Sequence, residues 1–134
     1  MRIVLDTSVL LPAFFGSGLC HALLERAFET GVELVLSEHI LGEFEEWATA
    51  KFKAPKRDVA DALRLMRSAA VIVTPAELNA SVFDDADDLP VIGTAIAGQA
   101  DALVTGDKGL VGLGSVAGIP IVTPRAMHDR LGGD

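Results

Sequence analysis

A single α/β domain built on a parallel sheet is the fold this sequence predicts, and three observations carry that prediction. Short continuous apolar runs recur along the chain: Ile3-Val4-Leu5, Leu34-Val35-Leu36, Val71-Ile72-Val73, Ala102-Leu103-Val104 and Ile121-Val122. They are too short for buried helices and lack the alternation of half-solvated strands, so they read as strands covered on both faces. Between them lie stretches with apolar residues three and four apart, and strands alternating with helices give a parallel sheet. The length, 134 residues, is that of one domain, long enough to bury roughly two thirds of its unfolded surface.

In order, strand one covers residues 2–5, and a helix from about Ser8 follows, interrupted by Pro12 and Gly16-Ser17-Gly18. A second helix, Leu19 to Thr30, has apolar residues at 19, 23, 24, 27 and 28 and stops at Gly31. Glu33–Leu36 is strand two. Ser37 then caps a helix reaching about Phe52, with Glu38 early in it, where the dipole favours an acid. Pro55 opens a helix carrying Val59, Leu63 and Met66, and residues 71–73 form strand three. After an acidic loop at 84–88, Asp88 is placed to cap a short apolar helix that Pro90 opens and Gly98 ends in the left-handed conformation. Strand four at 102–104, a short helix at Lys108–Leu113, strand five at Ile119–Val122 and a helix from Pro124 complete the chain.

Half the residues are apolar and the mean hydropathy is +0.41, which excludes a disordered chain and hints that a partner covers some apolar surface. No apolar stretch reaches the ~18 residues of a membrane span, and Asp6 interrupts any signal-peptide core. The single Cys20 allows no internal disulfide, which suits a reducing, cytoplasmic location. The net charge of −8 argues against non-specific attraction to nucleic acid. Its distribution is uneven, however: four of the 19 acids fall at 84–88 and six of the 11 bases between Lys51 and Arg67. That basic run is either a solvated helix face or a phosphate-contacting rim, with Lys51, Lys53, Lys56 and Arg57 as candidate RNA contacts.

Asp6 and Asp107 each follow an apolar strand at the sheet's carboxyl edge, where open α/β sheets place their chemistry. Alone, each of Asp6, Asp88 and Asp107 could be a helix cap; together they suggest a convergent site. On the helix 38–52, Glu43 and Glu45 both lie about 100° from the centre of the apolar face, so the helical wheel leaves them tied. His39, at an exposed helix start, reads as solvated. Two carboxylates ~5 Å apart repel by about 3 kcal/mol at an effective dielectric of ~20, so gathering several needs a cation. Without a Cys/His ligand spacing, hard oxygen-bound Mg²⁺ or Mn²⁺ fits and zinc does not. Such a site polarises a phosphodiester and generates hydroxide from water. Repulsion alone further predicts that Asp6→Asn leaves the metal-free protein no less stable. No glycine-rich phosphate loop and no serine nucleophile elbow accompanies these acids.

The stretches Ile3–Leu10, Ser37–Phe44, Asp87–Ile92, Val104–Lys108 and Ile121–Arg125 together resemble the successive motifs of PIN-domain ribonucleases, above all the toxin components of bacterial toxin–antitoxin pairs. The resemblance implies one PIN domain over 1–134, a three-layer α/β/α domain with a five-stranded parallel sheet of order 3-2-1-4-5. It assigns the catalytic, metal-binding acids to Asp6, Glu43, Asp88 and Asp107, choosing Glu43 over Glu45, with Thr105 and Ser8 in support. It implies a Mg²⁺- or Mn²⁺-dependent endoribonuclease leaving 5′-phosphate and 3′-hydroxyl ends, a cognate antitoxin and a homodimer. The sequence departs from the family at Ser8, where Asn is usual, and at Gly109, where an acid is common. Two rivals stand beside this reading: a PIN fold that binds without cleaving, and a receiver-type signalling domain. The latter needs an Asp after strand three and a Lys after strand five, where Thr74-Pro75 and Thr123-Pro124-Arg125 stand.

Overall fold

The computed structural model describes residues 1–79 and 86–132, so Asp84 and Asp85 of the acidic loop lie outside the described residues. Among those residues the strands are β1 (Arg2–Leu5), β2 (Glu33–Leu36), β3 (Val71–Ile72), β4 (Ala102–Val104), β5 (Ser115–Val116) and β6 (Ile119–Val122). The helices are α1 (Thr7–Phe15), α2 (Leu19–Glu29), α3 (Glu38–Ala50), α4 (Lys56–Ala69), α5 (Leu89–Ala97), α6 (Lys108–Val111) and α7 (Pro124–Arg130). They join in one sheet of order β3-β2-β1-β4-β6-β5. The first five strands of that order are parallel, as expected of 3-2-1-4-5, with β6 as the fifth.

The sheet has one strand more than expected. β5 pairs antiparallel with β6, and the turn between them has positive φ at both Ala117 (53°) and Gly118 (80°). That is the geometry of a two-residue hairpin turn whose twist matches its strands.

β1 lies at the centre of the sheet because it is apolar on both sides: Ile3, Val4 and Leu5 are wholly buried between β2 and β4. The crossovers run outward from β1 through β2 to β3, then return to β4. Right-handed connections therefore set α1–α4 on one face and α5 on the other. α1 packs against α2 and α3, while α5 packs on β1, β2 and β4. Phe44 of α3 anchors the first layer, edge-on to Phe14 and stacked on Phe15 at the end of α1.

Two helix ends differ from expectation. Asp88 occupies the position before α5, but its side chain makes no capping bond there. Gly98 has φ −84°, so it is not left-handed; Gln99 takes the positive φ of 51° instead. The glycine serves close packing, since a Cβ at Gly98 would run into Cγ1 of Val35 on β2. Pro12 interrupts nothing: α1 runs through it to Phe15.

Candidate functional site

The register of β1 on β4 pairs Leu5 with Val104, which sets Asp6 beside Thr105 at the carboxyl edge. Asp6 N donates to Val104 O at 3.0 Å and fixes the backbone there. The Asp6 side chain is only 7% exposed, and a carboxylate so buried needs donors. It has three. Thr7 N donates to Oδ1 at 2.6 Å, while Thr105 Oγ1 at 2.8 Å and Ser8 Oγ at 3.2 Å both donate to Oδ2. The two hydroxyls accept in turn from the β4–α6 loop, Thr105 from Asp107 N (3.0 Å) and Ser8 from Gly106 N (3.1 Å). Asp107 caps α6 through Oδ1, which accepts from Gly109 N and Leu110 N.

The third acid comes from α3. Ser37 caps that helix, and its hydroxyl lies 2.8 Å from Thr94 Oγ1 of α5, which is itself 2.7 Å from Pro90 O. One hydroxyl proton cannot serve both, so Thr94 donates to the carbonyl and Ser37 donates to Thr94. This buried pair ties the start of α3 to α5. Nearly two turns on, Glu43 Oε1 accepts from Thr7 Oγ1 at 3.2 Å. Burial pushes the Glu43 carboxyl above the ordinary glutamate range; His39 and the Thr7 bond oppose the rise, and the charges of Asp6 and Asp87 add to it.

A cleft of about 450 Å³ takes in Asp6, Ser8, Glu43, Asp88 and Asp107, and is walled further by Trp47, Lys51 and Phe52. Two grooves of about 550 Å³ are larger, but among the described residues each is lined by a single acid, Glu45 in one and Glu77 in the other. Size does not pick out the site here; the convergence of acids does. Glu45 lies in the α3–α4 groove with Lys56, Arg64 and Arg67, so the geometry separates it from Glu43. The candidate RNA contacts do not gather. Lys51 lines the acidic cleft, Lys56 lines the other groove, and Lys53 and Arg57 are exposed and line neither.

Two contributors to the cleft, Thr7 and Trp47, and a neighbour of Glu43 that lines the adjoining groove, His39, escaped the sequence reading. Thr7 orients Glu43. His39 is not solvated: it is half-buried, with Nε2 3.5 Å from Glu43 Oε1 and no hydrogen bond among the described residues. Its position four residues before Glu43 was the available signal, because such pairs share a helix face. Trp47 of α3 is partly exposed in the cleft.

Among the described residues, no three acidic, histidine or cysteine side chains stand close enough to share an ion as placed. The donor chemistry nevertheless suits a hard cation. Glu43 and Asp107 each tie one oxygen to a donor, and no hydrogen bond among the described residues falls on Glu43 Oε2 or Asp107 Oδ2. An all-oxygen set of this kind fits Mg²⁺ or Mn²⁺.

Comparisons with known proteins agree with this architecture. The crystal structure of PAE2754 from Pyrobaculum aerophilum aligns with a TM-score of 0.66 at 14% identity, over 100% of this chain and 91% of that one. VapBC2 from Rickettsia felis, solved bound to a DNA fragment from its promoter, aligns at 0.62 and 17% identity, over 92% of this chain and 98% of that one. At such identities the likeness is one of fold. No curated protein matches the sequence significantly. The sequence model of the PIN domain matches residues 2–109, which runs from β1 into α6 and includes every acid of the cleft, and on that match this chain belongs to the PIN-domain family.

Proposed function

We propose that this protein is a metal-dependent endoribonuclease, the toxin of a toxin–antitoxin pair, hydrolysing RNA phosphodiesters and leaving 5′-phosphate ends. The observation that carries the reading is the convergence of Asp6, Glu43, Asp88 and Asp107 on one cleft at the carboxyl edge of the sheet. Membership of the PIN family supports it, as does the likeness of fold to the VapBC2 structure.

In this reading Asp6, Glu43, Asp88 and Asp107 hold Mg²⁺ or Mn²⁺. The ion, when bound, supplies a lowered pKa for water and charge stabilisation at the phosphate. The protein's own part is orientation. Thr105 and Ser8 hold Asp6 Oδ2, Thr7 N holds Oδ1, and the Thr7 hydroxyl aims Glu43. The cap on α6 fixes Asp107. Asp6, Glu43 and Asp107 thus keep their geometry before substrate arrives, which is where electrostatic catalysis gains most. An antitoxin and a second copy of the chain are the partners this reading implies, the high mean hydropathy of +0.41 being what a covered surface would explain; the expected compartment is the cytoplasm.

The test is cleavage of total RNA with Mn²⁺ or Mg²⁺, with chelator and with Asp6→Asn as controls. Metal-dependent 5′-phosphate products from the wild type alone are expected. A wild type that binds RNA without cutting it would instead be a non-catalytic PIN-fold binding module.

A further inference from the structure

Trp47, Lys51 and Phe52 are a part of the cleft that the acid chemistry leaves unused. Trp47 and Phe52 expose 37% and 43% of their surface, although large aromatic side chains gain most from burial. Both line the same cleft as Asp6, Asp88 and Asp107. Phe52 is braced from behind: its ring lies 6.2 Å from that of Phe15, which stacks on buried Phe44 at 5.6 Å. Lys51 Nζ stands 3.9 Å from the centre of the Trp47 ring, and Lys51 is the one base among the described residues lining the cleft.

Aromatic faces beside a cation form a platform on which unpaired bases stack whatever their sequence, while the cation serves the backbone. A duplex hides the faces of its bases, so such a platform favours single strands. An exposed cation–π contact is weaker than a base stack. An incoming base can therefore take the indole face and leave the ammonium to a phosphate.

We infer that Trp47 and Phe52 stack an unpaired base of the substrate beside the phosphodiester that is hydrolysed at the acid cluster, and so are the residues by which this chain grips an unpaired base; this rests on the nuclease reading above. A protein partner is the other occupant an aromatic patch could serve. Lys51 and the acids in the same cleft favour RNA, because they place a cation for the backbone next to the cleavage chemistry.

Trp47 is the chain's one tryptophan, and there is no tyrosine. Ultraviolet emission excited at the indole band therefore reports on this ring alone. Wild-type protein in Ca²⁺ buffer is titrated with a short single-stranded RNA, with the same sequence as a duplex, and with an abasic ribose-phosphate strand of equal charge. The single strand should quench Trp47 emission, at concentrations roughly tenfold or more below those the other two require. Anisotropy of a labelled strand should show Trp47→Ala and Phe52→Ala each weakening binding roughly five- to hundredfold, with Trp47→Phe retaining most of it. Emission that ignores RNA overturns the inference and is what a protein-docking patch would give. Equal affinity for the abasic and natural strands also overturns it. Cleavage of total RNA, measured in parallel, keeps the two readings apart. Cleavage by the wild type, with undiminished binding by Trp47→Ala, sinks the platform and leaves the nuclease. Stacking without cleavage by the wild type sinks the nuclease and leaves the stacking.

Discussion

Thr105 donates its hydroxyl proton to Asp6 Oδ2 across 2.8 Å, from a position wholly shielded from solvent. Thr105 Oγ1 itself accepts from Asp107 N, so one side chain links the two acids that follow β1 and β4. Thr105→Val keeps the shape and removes both bonds. A bond to a buried charge contributes about 1.5–3 kcal/mol, and the stranded Asp6 oxygen adds to the loss. The melting temperature should fall by roughly 5–15 °C, with Thr105→Ser close to wild type. Indistinguishable melting curves for Val and wild type would show that Ser8 and Thr7 hold Asp6 unaided.

The strands were legible because a central parallel strand must be apolar on both faces, and Ile3-Val4-Leu5 and Ala102-Leu103-Val104 leave no other interpretation. Asp6 and Asp107 were legible for the same reason, being the first acids past those runs. β5 was not. Two residues, Ser115-Val116, carry no apolar run, and Ala117-Gly118 is a weak turn signal beside Asn-Gly. Gly98 was misread because a helix-ending glycine and a glycine pressed against another element look alike in sequence; only contact with Val35 tells them apart. The Glu43/Glu45 tie could not be broken by the wheel, since both residues flank the apolar stripe. It is the packing of α3 against α1, which brings Thr7 to Glu43, that separates them.

Gly98 gives a prediction free of any functional reading. Gly98→Ala adds a methyl against Val35 Cγ1 in a helical conformation that alanine otherwise favours. Overpacking of this kind costs typically 1–3 kcal/mol, more than alanine's helix propensity returns. Urea unfolding should show a lower midpoint with an unchanged slope, and Val35→Ala in the same chain should recover part of the loss. A stabilised Gly98→Ala would mean that β2 and α5 separate at little cost.

The burial of Glu43 should make stability depend on pH. In the metal-free protein burial raises the Glu43 carboxyl above its ordinary 4.5. The folded state then holds that proton more tightly than the unfolded one does. Its stabilisation is complete below the unfolded pKa and is lost as pH rises through the folded value. Measured in chelator, wild type should weaken relative to Glu43→Gln from about pH 4.5 upward, and the gap should level off above the folded pKa. A Glu43→Gln curve parallel to wild type would count against the burial of this carboxyl.

The basic residues should also divide. Lys51 lies in the cleft and Lys56 in another groove, so only Lys51→Ala should lower the slope of log affinity for RNA against log salt, by about one. Equal effects from Lys51→Ala and Lys56→Ala would restore the whole basic run as the RNA path.

Asp6→Asn decides between ligand and structural roles. Repulsion alone predicts no loss of stability, but three donors converge on this carboxylate. Asparagine can still accept from Thr7 N through its carbonyl. Its amide nitrogen, however, would meet the hydroxyls of Ser8 and Thr105 where an acceptor stood. Metal-free Asp6→Asn should therefore melt below wild type, by about 1–3 kcal/mol. That loss resembles the one expected of Thr105→Val, so stability in chelator cannot separate the roles. Added Mn²⁺ can. A ligand that binds only the folded state stabilises by RT ln(1 + [L]/Kd), about 2.7 kcal/mol at a hundredfold excess over Kd. Wild type and Thr105→Val, which keeps every carboxylate, should both gain several degrees from Mn²⁺. Asp6→Asn should gain little. If Mn²⁺ raises Asp6→Asn as much as wild type, Asp6 is a structural group alone and the metal lies elsewhere. If it raises none of the three, the acids do not hold a cation and the hydrolytic reading fails with them.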